Sequence, residues 1–539
     1  MKRLRSRAVV VLALIGALLM VSAPAGAANS HALIQGSGSS WAANAINQWV
    51  ADVNSQGIQV VYTPDGDAQG RQDYANKTAD FAVTSLGYQG TDPVTGVPDN
   101  SHGRPYVYLP IAAGGTSFPY HIVIDGQQVA NLRLSGQTLT KIFTNQITNW
   151  DDPQITQDNN GHKLASLPII PVVQSEGSGA TAQLTRYFAT EFGSIWQSYS
   201  HLSGLTEYYP RQGAQIAQNG SNGAMNYIAS SAANGSIGYV EYSYALAANF
   251  PVIKVLNSAG YFTLPTQYND AVALEAAVIN TDPNSPDYLL QNLDNVYTDP
   301  DPRTYPLSSY VYAIEPTGSN AQDSSITTAK RQSIADFLYY SICQGQREIG
   351  PIGYSPLPVN LVEAGFGQLA KLQQADSGVD LTNRDISTCG NPTFDASNPN
   401  ENYLASIAPL PPSCDKIGNE PCVAGTGNPE SLGFNASQTS SGSGSSNSST
   451  AGGSKNGKGA KAYAASYKGK WRIDKATGQL IPPNGLSHGA LSSTVLGVSV
   501  GATTWGLLAA LAVLALLGAV FLPPIISRRI ARKREESQP

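Results

Sequence analysis

Three short stretches combine glycine and serine in a pattern that could hold an anion: Gly36-Ser37-Gly38-Ser39-Ser40, Gly66-Asp67-Ala68-Gln69-Gly70 and Gly177-Ser178-Gly179-Ala180. Each stands where a helix is expected to begin. A helix start presents unpaired N–H groups and a partial positive charge. Small residues let an oxyanion approach that backbone closely, and serine hydroxyls add donors. One such loop is more often a plain helix cap, but three in one chain point to an oxyanion receptor. Other chemistries lack their residues. His31, His102, His121, His162, His201 and His488 are scattered singles without metal-ligand spacing, so no metal site is expected. Ser178 lies in Glu-Gly-Ser-Gly-Ala rather than a Gly-x-Ser-x-Gly elbow, which speaks against a nucleophilic serine. Asp151 and Asp152 look like paired carboxylates, but Asp-Asp-Pro after Trp150 reads as a turn and helix start. Neither a catalytic residue nor a cofactor is expected.

The elements around these loops alternate between strand and helix. Ser39 and Ser40 precede Trp41, Ile46, Trp49, Val50 and Val53, and the last four fall on one helical face behind a serine cap. Residues 58–62, 81–84, 168–173 and 237–240 read as strands. The third loop leads into a helix carrying Leu184, Tyr187 and Phe188, and Ile334, Phe337, Leu338 and Ile342 give another helix face. Repeated strand–Gly loop–helix units predict an α/β fold with parallel sheets. Trp49, Trp150 and Trp196 read as core, and Tyr239, Tyr242 and Tyr244 as packing residues.

Composition narrows the class. The chain has 539 residues, 41% hydrophobic and 13% charged, too little charge for a coiled coil. Net charge is −6, yet both ends are basic, so the middle is more acidic than that mean. An acidic body speaks against nucleic acid as a partner. Residues 1–28 read as a secretory signal: a basic start, an apolar run from Ala8 to Met20, then Ala25-Gly26-Ala27. Residues 496–524 read as a single transmembrane helix, since about 20 apolar residues span a bilayer. The basic residues Arg528 to Arg534 follow in a tail over 525–539, which puts that end inside. The expected topology is type I in the cell membrane, with the body extracytoplasmic. Residues 386–435 are Cys- and Pro-rich, and 436–488 form a Ser/Gly-rich linker and stalk. Cys343, Cys389, Cys414 and Cys422 lie in the exported part, where two disulfides are expected. Four cysteines allow three connectivities, and Cys414–Cys422 with Cys343–Cys389 is favoured.

Several segments resemble the phosphate-specific solute-binding proteins of ABC importers: residues 36–41 (GSGSSW), 78–83 (TADFAV), 144–155 (TNQITNWDDPQI), 172–187 (VVQSEGSGATAQLTRY), 222–226 and 235–245 (GSIGYVEYSYA). The resemblance runs over about residues 31–375. It implies a type II periplasmic-binding-protein fold over 29–385, with two lobes closing on a ligand in the cleft. Lobe one would take about 31–115 and 265–375, and lobe two about 116–264. It also implies inorganic phosphate as ligand and an ABC permease in the same membrane as partner. Carried over by position, the site would comprise Ser39, Ser40, Trp41, Asp67, Arg71, Ser85, Gln174, Ser178, Gly179 and Ala180. The match departs from the family in its charges. Gln174 stands for an arginine, Ala180 for a threonine, and Asp67 and Ser85 exchange the family's serine and acid. Losing the arginine removes a bidentate, charge-assisted clamp. Asp67 could still accept the proton of hydrogen phosphate from the other wall. Arg71 either replaces the missing arginine or is a solvated helix residue.

Three rival readings follow from those departures and from the tether. The chain could be a receptor of the same fold for another ligand, a surface sensor or scaffold with a degenerate site, or a phosphate-ester hydrolase. The last lacks a metal cluster and an activated nucleophile.

Overall fold

The computed structural model describes residues 31–398 and 401–422, together with a two-strand ladder of Arg472–Ile473 and Leu480–Ile481 within the expected stalk. The signal segment 1–28, residues 423–435, the remainder of the linker and stalk, the expected span 496–524 and the tail 525–539 lie outside the described residues. Among the described residues, no helix is long and apolar enough to cross a membrane.

The elements that carry the argument are, in chain order, β1 (Ile34–Gly38), α1 (Ala43–Asn54), β2 (Val60–Thr63), α2 (Asp67–Ala75), β3 (Phe81–Thr84), β4 (Tyr106–Ser117), β5 (Tyr120–His121), β6 (Arg133–Leu134), α3 (Gly136–Phe143), β7 (Ile170–Gln174), α4 (Gly179–Glu191), β8 (Ile216–Gln218), α5 (Gly220–Ala229), β9 (Ser236–Gly238), β10 (Val240–Glu241), α6 (Tyr242–Ala248), β11 (Lys254–Leu256), β12 (Phe262–Thr263), α7 (Gln267–Leu274), β13 (Ser308–Pro316), α8 (Thr328–Ile342), α9 (Val359–Ala375) and α10 (Tyr403–Ser406).

Lobe one is built on a six-stranded sheet of order β10-β4-β13-β3-β1-β2. Its β1 runs parallel to β2 and β3, as strand–loop–helix units require. Lobe two is built on a four-stranded sheet of order β8-β7-β9-β5, with β7 parallel to β8 and β9. A third sheet, β6-β11-β12, lies beside the crossover, where Ile253 N–H bonds the Phe118 carbonyl. The chain crosses between lobes at Phe118-Pro119, after the twelve residues of β4, and returns at Tyr239 between β9 and β10. Both crossovers are pinned by antiparallel pairing, β9 with β5 and β10 with β4. The result is a two-lobe α/β fold.

The helices form where the apolar periodicity puts them. α1 buries Ala43, Ala45, Ile46, Trp49 and Val53, and α8 buries Ile334, Phe337, Leu338 and Ile342. Trp49, Trp150 and Trp196 are wholly buried, as core residues. Asp152 caps the helix Pro153–Asp158 by accepting the Gln154 N–H. The serine cap expected for α1 is absent: α1 begins at Ala43, so Ala42, two residues beyond Ser40, stands at the cap position and has no hydrogen-bonding side chain to offer. α2 lies almost on β1, and a Cβ on Gly70 would stand 2.4 Å from Gly38 Cα. That approach sets the N-terminus of α2 beside the end of β1.

Residues 376–422 pack on the body as an extension. Cys343–Cys389 ties its start to α8, and Cys414–Cys422 closes a small loop at its end, which is the favoured pairing. Between them, Leu404 and Ala405 of α10 pack on Ala271 and Val272 of α7. The terminal loop sits on the flank of lobe two. There Arg133 donates to the Cys414 and Asn419 carbonyls, and Lys254, its neighbour in the third sheet, pairs with Asp415 at 2.7 Å.

Candidate functional site

Four helix starts converge between the lobes. From lobe one come the turn Ser39-Ser40-Trp41 leading to α1, and the N-terminus of α2 at Asp67. From lobe two come the N-termini of α4 at Gly179 and of α5 at Gly220-Ser221. The lobes are shut upon each other here. The Ala68 N–H donates to the Gly177 carbonyl at 3.0 Å. The Ser221 N–H donates to the Ser40 hydroxyl at 3.0 Å. Gly179 faces the other wall so closely that a Cβ would stand 2.2 Å from Ser85 Oγ and 2.3 Å from Asp67 Oδ1.

Each expected site residue has a definite place. Ser39 is buried and its hydroxyl has no partner, while its carbonyl accepts from Tyr62. The Ser40 carbonyl accepts from the Tyr244 hydroxyl at 2.6 Å. Trp41 packs edge-on against Tyr354, and its indole N–H reaches Thr116 of β4 at 3.2 Å, joining the first loop to the crossover. Asp67 and Ser85, the exchanged pair, meet: the Ser85 N–H donates to Asp67 Oδ1 at 2.6 Å. Ser178 caps α4 by accepting the Thr181 N–H and donates its own proton to Gln174 Oε1. Gln174 Nε2 donates to Ser221 Oγ at 3.3 Å and the Tyr239 carbonyl at 3.4 Å, so the amide ties α4, α5 and the crossover together. Ala180 lies in the first turn of α4 and supplies backbone alone.

Arg71 is neither a solvated residue nor free toward the cleft. Its guanidinium is fully buried and donates to Asp99, to Thr84 at 3.0 Å, and across the cleft to both oxygens of Glu207. Burial alone would lower its pKa. The charges and hydrogen bonds of Glu207 and Asp99 outweigh that and hold it well above the usual value. Glu207 is pushed upward by burial; Arg71 opposes this, but Asp67 and Asp99 add repulsion. One cation therefore serves two carboxylates.

Sequence reasoning missed four contributors. Gly220-Ser221 is a fourth Gly/Ser helix start, inside Asn219-Gly220-Ser221-Asn222-Gly223, and the same pattern could have found it. Glu176 immediately precedes the third loop. Its Oε2 accepts from the Ser175 hydroxyl at 3.4 Å, and its Oε1 is buried without a partner. Burial raises its pKa, and the Asp67 charge adds to that. Asp99 and Glu207 carry no local signal, because their role comes from long-range packing on Arg71. Among the described residues, no group of three or more His, Cys, Asp or Glu is placed to hold a metal.

The chain is similar to known proteins over this region. It is 28% identical over 331 residues to "Phosphate-binding protein PstS 2" of Mycobacterium tuberculosis, covering 60% of this chain and 83% of that protein. It is 25% identical over 359 residues to "Phosphate-binding protein PstS" of Methanocaldococcus jannaschii, covering 64% and 87%. Among solved structures, a phosphate-binding protein from Stenotrophomonas maltophilia aligns with a TM-score of 0.47 at 17% identity, over 65% of this chain and 99% of that one. The family model described as a PBP superfamily domain matches residues 23–344, more than half of the sequence. With two lobes, paired crossovers and a cleft walled by helix starts, the chain belongs to the PBP superfamily.

Proposed function

We propose that this chain captures inorganic phosphate outside the cytoplasm and delivers it to an ABC importer. The observation that carries the reading is the convergence of four helix starts on one interlobe cleft, with three serine hydroxyls among them. Helix-start N–H groups and helix dipoles favour an oxyanion there. The similarity to proteins named phosphate-binding PstS selects phosphate among oxyanions. The ligand would lie between the lobes, held by Ser40, Ser178 and Ser221 and by the N–H groups of Gly179 and Ala180. Asp67 would accept the proton of hydrogen phosphate and repel sulfate, which has none. Arg71 would reach the anion only by releasing Glu207. The work is capture, closure and release, without covalent chemistry. With the signal at 1–28 and the span at 496–524, the receptor would be tethered beside its permease at high effective concentration.

The test is calorimetric titration of the full-length chain with phosphate and then sulfate at neutral pH, after bound phosphate is removed by partial unfolding and dialysis. Phosphate binding with sulfate excluded is the expected outcome. No heat with either anion would defeat the reading and favour a different ligand, which Gln174 in the arginine position makes the leading rival.

A further inference from the structure

The cleft holds an excess of carboxylates over cations. Asp67 stands at the start of α2 with Oδ1 on the Ser85 N–H. Glu176, just before the third loop, takes the Ser175 hydroxyl on its Oε2 at 3.4 Å. The glutamate reaches lobe one as well: a Cβ on Gly66, which precedes α2, would stand 2.8 Å from Glu176 Cγ. Two carboxylates, Asp67 and Glu176, thus already stand at the start of α2, where an anion would be received, while Arg71 is taken up by Asp99 and Glu207. Gln174, two residues before Glu176, is neutral, and Glu176 Oε1 is buried with no donor facing it.

A buried carboxylate oxygen without a donor beside a bound oxyanion places two acceptors face to face. That arrangement is repulsive unless a proton lies between them. Hydrogen phosphate brings one proton, which Asp67 would accept under the function proposed above. A second acceptor needs a second proton.

Resting on that phosphate reading, we infer that Glu176 sets the protonation state of the bound anion: the cleft closes on phosphate together with one further proton, shared between a phosphate oxygen and Glu176 Oε1. The ligand is dihydrogen phosphate when it enters from acid solution. From alkaline solution, hydrogen phosphate enters and one proton is drawn from solvent onto the Glu176–phosphate pair; no other bond is made or broken. The titratable groups facing Glu176 do not supply that proton to a neutral partner. Asp67 is an acceptor on α2, and α5 offers backbone at Gly220. Tyr239 of the crossover is held in its neutral form by burial and donates or accepts with Thr181. Beyond Asp67 lies the Arg71–Asp99–Glu207 group, where the guanidinium is already shared. Burial and the Asp67 charge both raise the Glu176 pKa, in the direction that proton capture requires.

The test counts protons. Phosphate is titrated into the full-length chain at pH 5.5 and pH 8 by calorimetry in buffers of different ionisation heat. Wild type should take up about one proton per phosphate at pH 8 and close to none at pH 5.5, and its affinity should fall about tenfold per pH unit above neutrality. Glu176→Gln removes the second acceptor, so its uptake at pH 8 should fall to near zero and its affinity there should exceed that of wild type by about tenfold. Wild-type uptake near zero at pH 8 overturns the inference, whatever the variant does. Equal uptake by wild type and Glu176→Gln also overturns it. Phosphate binding at either pH keeps the phosphate reading intact in both cases. Absence of phosphate binding at both pH values defeats that reading and the inference together.

Discussion

Arg71 holds one positive charge between two carboxylates, with no surface left to water. Replacing it would strand Asp99 and Glu207 in the interior as uncompensated charges. Arg71→Met is therefore expected to lose about 3–5 kcal/mol of stability, read by denaturant unfolding. Asp65 behaves differently. It shares the Ser37 hydroxyl with Asp73, and its pKa is raised to about 6, by burial first and then by the Asp73 charge. A raised carboxyl favours the folded state below its unfolded pKa near 4 and loses that advantage as pH rises to about 6. Asp65→Asn should thus match wild type at about pH 3, below the unfolded pKa, and exceed it by about 1–2 kcal/mol at pH 7.5, after allowance for the partial exposure of the group. Unfolding midpoints at the two pH values check this.

At the scale of elements, the Gly/Ser loops were legible because helix starts and close backbone approaches use local residue types. The third loop does cap its helix, through Ser178, and Gly179 is needed where two walls touch. Local patterns also mislead. Ser40 reads as the cap of the following helix, yet its hydroxyl bonds the start of α5, 181 residues away. The partner of Arg71 illustrates the same limit: Glu207 lies 136 residues downstream, and nothing in its neighbours marks it. Strand and helix positions depend on periodicity within a dozen residues, whereas the charge balance of the cleft depends on which lobes face which. The close contact at Gly179 gives an element-scale prediction. Gly179→Ala places a methyl within 2.3 Å of Ser85 Oγ and Asp67 Oδ1, so the lobes cannot shut as they do here. The expected protein unfolds at the wild-type midpoint but shows a larger radius of gyration in solution scattering. An unchanged radius would mean that the contact yields without opening the cleft.

At the scale of the whole molecule, the extension decides where the rest of the chain is held. It leaves lobe one through Cys343–Cys389 and ends on lobe two through Asp415, Asn419 and the Cys414–Cys422 loop. Removing the first bridge by Cys343→Ser with Cys389→Ser should lower stability by about 2–4 kcal/mol, measured by thermal unfolding under oxidising conditions. The further consequence is mechanical. The extension is held to lobe one by the Cys343–Cys389 bridge and by α10 on α7, and to lobe two by Arg133. It therefore straps both jaws, and any swing of one against the other must be taken up in the seven residues 407–413 that join α10 to Cys414.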